Sequence, residues 1–184
     1  GASSRAAALG PPAPLRAGSV VRFRTHTGKR ITVQGTAVHA KWDHQGSWQT
    51  FTMEKKDDGP IQSGDTIFLK AHTGKRLTVG DGRSRTAVHA RWNHQGKWQA
   101  FVIEKKGGGA IASGDGIFLR AHTGKRLTVS DGRDRTKVHA RWDHQGSWQE
   151  FVVEAVEAAT NKDQEPDESG GGPPTREPAA GGGR

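Results

Sequence analysis

An all-β fold closed into a barrel, the β-trefoil, is the class this sequence predicts, and three observations predict it. One block of sequence is written three times. Inside each block the apolar residues alternate with a period of two. The chain is rich in turn formers, with 26 Gly in 184 residues, and only 32% hydrophobic. Short strands joined by tight turns suit that composition; a helical bundle does not.

The repeat carries the most weight. The word His-Thr-Gly-Lys-Arg begins at His26, His72 and His122, and Val-His-Ala begins at Val38, Val88 and Val138. The stretch VHARWDHQGSWQEF, from Val138 to Phe151, has near-copies at Val38 to Phe51 and Val88 to Phe101. His26 and His39 are 13 residues apart, whereas His72 and His89, like His122 and His139, are 17 apart. The copies therefore differ by one insertion, seen by setting VQGTAVHA beside VGDGRSRTAVHA. A length change confined to one Gly-, Asp- and Arg-rich spot predicts a longer hairpin loop. Aligning PLRAGSVVRFRTHTGKR with PIQSGDTIFLKAHTGKR places the start at Pro14. The repeats then run over 14–59, 60–109 and 110–156. The flanking segments, 1–13 and 157–184, are Ala/Pro/Ser-rich and Gly/Pro/Glu-rich. Neither has the apolar content to fold, so disorder is expected there. The first has Arg and Ser but no acid and does not begin with Met, so a targeting segment or a missing start is expected.

The second repeat justifies each strand. Ile67, Leu69 and Ala71 alternate with Phe68, Lys70 and His72. Leu77 and Val79 flank Thr78. Val88, Ala90 and Trp92 alternate with His89 and Arg91. Phe101 and Ile103 alternate with Val102 and Glu104. Each is a strand with one apolar face. Thr73-Gly74-Lys75, Asp81-Gly82 and Asn93 to Lys97 are the turns between them. Twelve strands with open edges would pair with other chains, so the set must close on itself. Three hairpins capping a barrel achieve this, while a propeller of three blades would be too small. The same alternation points His39, His89 and His139 outward, together with Lys41, Arg91 and Arg141. Phe68 and Phe118 fall on that outward phase too, where the first repeat has Arg22.

The formal charge is +9, and Val21 to Glu154 carries 23 basic against 13 acidic residues. An anionic partner is the expectation. The candidate binding residues are the basic pairs Lys29-Arg30, Lys75-Arg76 and Lys125-Arg126, and the loop residues Arg83, Arg85, Arg133 and Arg135. His39, His89, His139, His44, His94 and His144 join them, with Trp48, Trp98 and Trp148. Repetition spreads these into equivalent patches, which suits a multivalent partner. Nine His predict a response to pH near neutrality.

Catalysis finds little in this chain. There is no Cys. The adjacent pairs Asp43-His44 and Asp143-His144 are broken by Asn93-His94 in the middle repeat. A nucleophile elbow, a phosphate loop and a paired-carboxylate signature are all missing from the sequence. His39 and His44 have no acid or thiol at a ligand spacing, so neither a metal site nor a cofactor is expected. No apolar run reaches the roughly 20 residues of a membrane helix.

In the third repeat, FLRAHTGKRLTV is followed by VHARW and WQEFVVE. This pattern resembles the fascin-like actin-crosslinking trefoils, and it is similar to the single, His-rich, hisactophilin-like trefoil. The likeness covers Pro14 to Val156. It implies a non-enzymatic, pH-sensitive binder of actin filaments, cytoplasmic and associated with the cytoskeleton. The chain has one such unit where fascin has four, so it matches a filament binder, and bundling would need a second site or a dimer. Gln49-Thr50-Phe51, Gln99-Ala100-Phe101 and Gln149-Glu150-Phe151 are similar to the Gln-x-Trp motif of ricin-type lectin trefoils, where it is mainly core. Two alternatives stand beside actin. One is a glycan-binding module with Trp and His stacking on sugars in three pockets. The other is a binder of anionic surfaces such as phosphoinositide or nucleic acid. Oligomeric state does not follow from the sequence.

Overall fold

The computed structural model describes residues 13–156. The expected disordered tails thus lie outside the described residues, apart from Ala13. Twelve strands follow one another: β1 Val20–Arg24, β2 Arg30–Gln34, β3 Ala37–Trp42, β4 Phe51–Glu54, β5 Thr66–Ala71, β6 Arg76–Val79, β7 Val88–Trp92, β8 Phe101–Glu104, β9 Gly116–Ala121, β10 Arg126–Val129, β11 Val138–Trp142 and β12 Phe151–Ala155. The described residues contain no α-helix; single 3₁₀ turns occur at Ser47–Gln49, Lys97–Gln99 and Ser147–Gln149.

Six strands close a ring. β1 pairs with β4 and β12, β4 with β5, β5 with β8, β8 with β9, and β9 with β12, all antiparallel. No strand of this ring keeps an open edge. The register sets Phe51 opposite Ala71, Phe101 opposite Ala121 and Phe23 opposite Val153. A large ring thus faces a smaller side chain at each of these pairs. Val21, Ile67 and Ile117 fill the interior with Phe23, Leu69 and Leu119, and with Met53, Ile103 and Val153, all fully buried.

The other six strands are three hairpins, β2–β3, β6–β7 and β10–β11. They lock together at one end of the barrel. Ala90 N–H donates to Thr36 O, Ala140 N–H to Thr86 O and Ala40 N–H to Thr136 O, each at 2.9 Å. Bridges between Ala37 and His89, Ala87 and His139, and His39 and Lys137 complete the ring of contacts.

This interlocking explains where single-face alternation fails. Ala40, Ala90 and Ala140 point into the core as expected, at 0% exposure. Their neighbours His39, His89 and His139, expected outside, are buried too, at 7%, 4% and 2%. The neighbouring hairpin covers each strand at its His, and the outward phase reaches solvent two residues later, at Lys41, Arg91 and Arg141. Phe68 and Phe118, on the outward phase of barrel strands, are likewise covered, with Lys106 Nζ 5.6 Å from the Phe118 ring centre.

The insertion is a longer loop. Gln34 faces Ala37 across the first hairpin, whereas Val79 faces Val88 and Val129 faces Val138 across the others. Asp81 Oδ1 shapes the second loop by accepting the N–H groups of Arg83 (2.9 Å) and Ser84 (2.7 Å). Asp131 Oδ1 does the same for Arg133 and Asp134. Gly74 supplies the left-handed residue of its turn at φ 91°.

Candidate binding surface

The candidate residues separate into those that hold the fold and those left on the surface. Arg30, Arg76 and Arg126 belong to the first group, which corrects the expectation that they form outward basic patches. Arg76 donates through Nε (2.6 Å) and Nη2 (2.9 Å) to Glu54, and Arg126 through the same nitrogens (2.7 and 3.2 Å) to Glu104. Arg30 grips Glu154 at 2.8 and 3.2 Å. The Nη1 atoms donate to the carbonyls of Asp43, Asn93 and Asp143, clamping the turn after each hairpin. The strand places each Arg side chain against the barrel, while Lys29, Lys75 and Lys125 one residue earlier belong to the turn. The Arg76 hydrogen bond lowers the Glu54 pKa. Burial works against ionisation of Glu104, but its bonds from Arg126 outweigh that and hold it below the ordinary value.

The Gln-x-Phe motif has a mechanical part as well. Gln49, Gln99 and Gln149 are each 2% exposed. Their Oε1 atoms accept the N–H of Gly46, Gly96 and Gly146 at 2.9–3.0 Å. Their Nε2 atoms donate to Thr32, Thr78 and Thr128, which are fully buried. The signal for this pair was a Thr flanked by apolar residues in β2, β6 and β10.

Trp and His form a ladder that crosses from repeat to repeat. His39 meets the edge of Trp42 at 4.8 Å, Trp42 tilts against Trp48 at 6.1 Å, and Trp48 lies near-parallel to His72 of the next repeat at 6.0 Å. The second ladder runs through His89, Trp92, Trp98 and His122. The third runs from His139 through Trp142 and Trp148 to His26, returning to the first repeat. His72 and His122 also bond the carbonyls of Val33 and Val79, at 3.0 and 3.1 Å. Both ring nitrogens of His26 are buried and have no hydrogen-bond partner among the described residues.

The buried imidazoles are neutral. Nδ1 of His39, His89 and His139 accepts the N–H of Lys41, Arg91 and Arg141 at 3.2 Å. Nε2 is left to donate to Gln34 Oε1, Gly80 O and Ser130 O. Burial, first among the causes, lowers the pKa of His39, His89 and His139; partial desolvation of the ring acts in the same direction on the half-buried His26 and on His72, whose surface is largely exposed. His39 is brought from 6.5 to about 4, with Lys41 adding to the effect. A lowered His pKa stabilises the fold fully above the unfolded value, and that stability is lost as pH falls through the folded one. Thermal unfolding should therefore show Tm falling as pH drops from about 6.5 towards about 4, before the paired carboxylates protonate. A Tm that stays flat across that range would contradict the neutral, buried imidazoles.

What remains outside is narrower than the sequence promised. His44, His94 and His144 are exposed, and Trp48, Trp98 and Trp148 are half-buried. Trp142, His144, Gly146, Ser147, Trp148 and Gln149 line one shallow groove. A second groove lies between Lys55, Lys56, Asp65, Phe68 and Lys97. Arg83, Arg85, Arg133 and Arg135 are exposed on the long loops. Among the described residues, no three His, Asp or Glu side chains are placed to hold a metal ion. No helix among them is long and apolar enough to cross a membrane.

Comparison with family models gives no match, and neither does comparison with curated proteins. Solved structures do match. A Caenorhabditis elegans protein of unknown function aligns with TM-score 0.61 and 18% identity, over 76% of this chain and 94% of that one. The SDF2-like protein from Arabidopsis thaliana aligns with TM-score 0.66 and 14% identity, over 78% and 97%. The Saccharomyces cerevisiae protein O-mannosyltransferase Pmt1–Pmt2 complex bound to the sugar donor aligns with TM-score 0.62 and 15% identity. That last likeness covers 78% of this chain and 26% of the transferase chain. At such identities these neighbours share the fold with this chain, and the likeness reaches no further.

Proposed function

We propose that this chain is a β-trefoil of three four-stranded repeats and a binding module without catalytic activity, whose partner is the actin filament. The observation that carries the reading is electrostatic. The carboxylates beside the barrel are taken by Arg30, Arg76, Arg126, Lys55 and Lys105, yet exposed cations with no carboxylate within 4.0 Å among the described residues remain on the turns and loops. Lys125 is among them, with Arg83, Arg85, Arg133 and Arg135 on the long loops, while Lys29 and Lys75 are half-buried. Such a surface attracts an acidic, repeating partner. The fascin-like words of the repeat supply the identity of that partner, and with it a cytoplasmic, cytoskeletal setting.

Co-sedimentation with F-actin tests this directly. The chain should pellet with filaments at low salt and be released as salt rises, because exposed charges are screened over about 10 Å at 0.1 M. A second reading, glycan binding, draws on the open groove of Trp142, His144 and Trp148. Glycan binding would survive moderate salt and be competed by a free sugar, so a glycan array separates the two readings.

A further inference from the structure

The hairpin end of the barrel has an asymmetry that the repeat does not. The first loop, Gln34 to Ala37, has no charged residue. The second brings Arg83 and Arg85, and the third Arg133, Arg135 and Lys137, all exposed. The acids beside them are already engaged within the loops. Asp81 and Asp131 accept backbone N–H groups, and Asp134 Oδ1 accepts both the N–H (2.8 Å) and the hydroxyl (2.6 Å) of Thr136. No ion pair forms to these five cations among the described residues.

The interlocked hairpins widen the patch. Thr86 O holds Ala140 N–H, so the exposed Arg141 sits beside the second loop. Thr136 O holds Ala40 N–H, so Lys41 sits beside the third. Seven cations, Lys41, Arg83, Arg85, Arg133, Arg135, Lys137 and Arg141, thus stand against Asp81, Asp131 and Asp134, a balance of 7 − 3 = +4.

We infer that these two loops, with Lys41 and Arg141, are the docking face, and that it takes an extended acidic protein surface. This rests on the filament-binding reading. Guanidinium forks held on turns shaped by Asp81 and Asp131 match carboxylates two at a time. The stretch from Asp81 to Thr86 has no apolar side chain to enter a bilayer and no aromatic one on which a base would stack. The face occupies one end only, so a single chain decorates a filament without linking it to a second.

The test compares wild type, the R83E/R85E/R133E/R135E variant and a K56E/K97E control at exposed lysines away from the hairpin loops, each shown to be folded by circular dichroism. High-speed co-sedimentation with F-actin reads binding, and low-speed sedimentation reads bundling. The loop variant should lose at least about tenfold in apparent affinity, and the lysine control no more than about twofold. Filaments should stay in the low-speed supernatant. Equal binding by the loop variant, or an equal loss by the lysine control, overturns the docking face while leaving filament binding intact. Low-speed bundles formed by a monomeric chain overturn its one-sidedness. A wild type that never pellets overturns the filament reading itself. If that protein instead shifts single-stranded DNA and the loop variant does not, the face serves nucleic acid and the acidic-protein partner is wrong.

Discussion

Replacing Phe101 by Ala should bring this domain close to its unfolding limit. Phe101 is fully buried where three barrel strands meet, opposite Ile67 on β5 and Ala121 on β9. Its counterparts Phe51 and Phe151 sit in equivalent registers, opposite Ala71 and Ile117. Truncating a buried Phe to Ala costs about 3–5 kcal/mol, since the lost transfer energy is joined by a cavity the neighbours fill only in part. Here collapse is resisted by a closed ring whose strands are fixed on both sides. A domain of this size has roughly 5–15 kcal/mol in all. Thermal denaturation followed by circular dichroism should show a Tm lowered by roughly 10–20 °C. A loss under about 1 kcal/mol would mean Phe101 does not occupy the core junction.

Glu104→Ala should be the next most damaging change, although Glu104 is a charged residue near the surface. Its carboxylate receives two bonds from Arg126 and lies 3.7 Å from Arg120 Nη1, with the side chains of Glu104 and Arg126 only 18% and 12% exposed. Removing it leaves two guanidiniums facing each other with no counter-charge. Removing one partner of a fully buried pair costs about 3–5 kcal/mol; the residual exposure here brings the expectation to about 2–3 kcal/mol. The damage should extend to the turn after β11, because Arg126 also holds the Asp143 carbonyl. Trp142 and Trp148 flank that turn and give a fluorescence readout. Glu104→Gln keeps an acceptor and should cost less. Arg83→Ala, on an exposed loop, should stay within about 0.5 kcal/mol. If Glu104→Ala and Arg83→Ala prove equal, the tie is not holding the barrel wall.

These two predictions mark what a sequence can and cannot disclose. Phe101 is legible because period-two alternation works where a strand has one face to the core and one to water. The four-residue difference between the hairpins is legible because an insertion rich in Gly, Asp and Arg has nowhere to go but a loop. His39, His89 and His139 are misplaced by the same rule, since the neighbouring hairpin covers the outward phase at each His and leaves it open at Lys41, Arg91 and Arg141. Lys75 and Arg76 read as one basic pair, but a strand begins between them and sends the arginine to Glu54. The available sign was a Glu at or next to the end of β4, β8 and β12, at Glu54, Glu104 and Glu154, ready to receive it. The dense Trp and His are mostly a ladder that fastens each repeat to the next. The surface that remains for a partner is set by what the scaffold does not use, and only the pairing pattern discloses that.

Sedimentation with F-actin across a salt series, on the folded wild-type chain, is the most direct measurement of the binding reading. The chain should pellet with filaments at about 50 mM salt and be progressively released towards about 300 mM. A folded chain that remains in the supernatant at every salt concentration would contradict it.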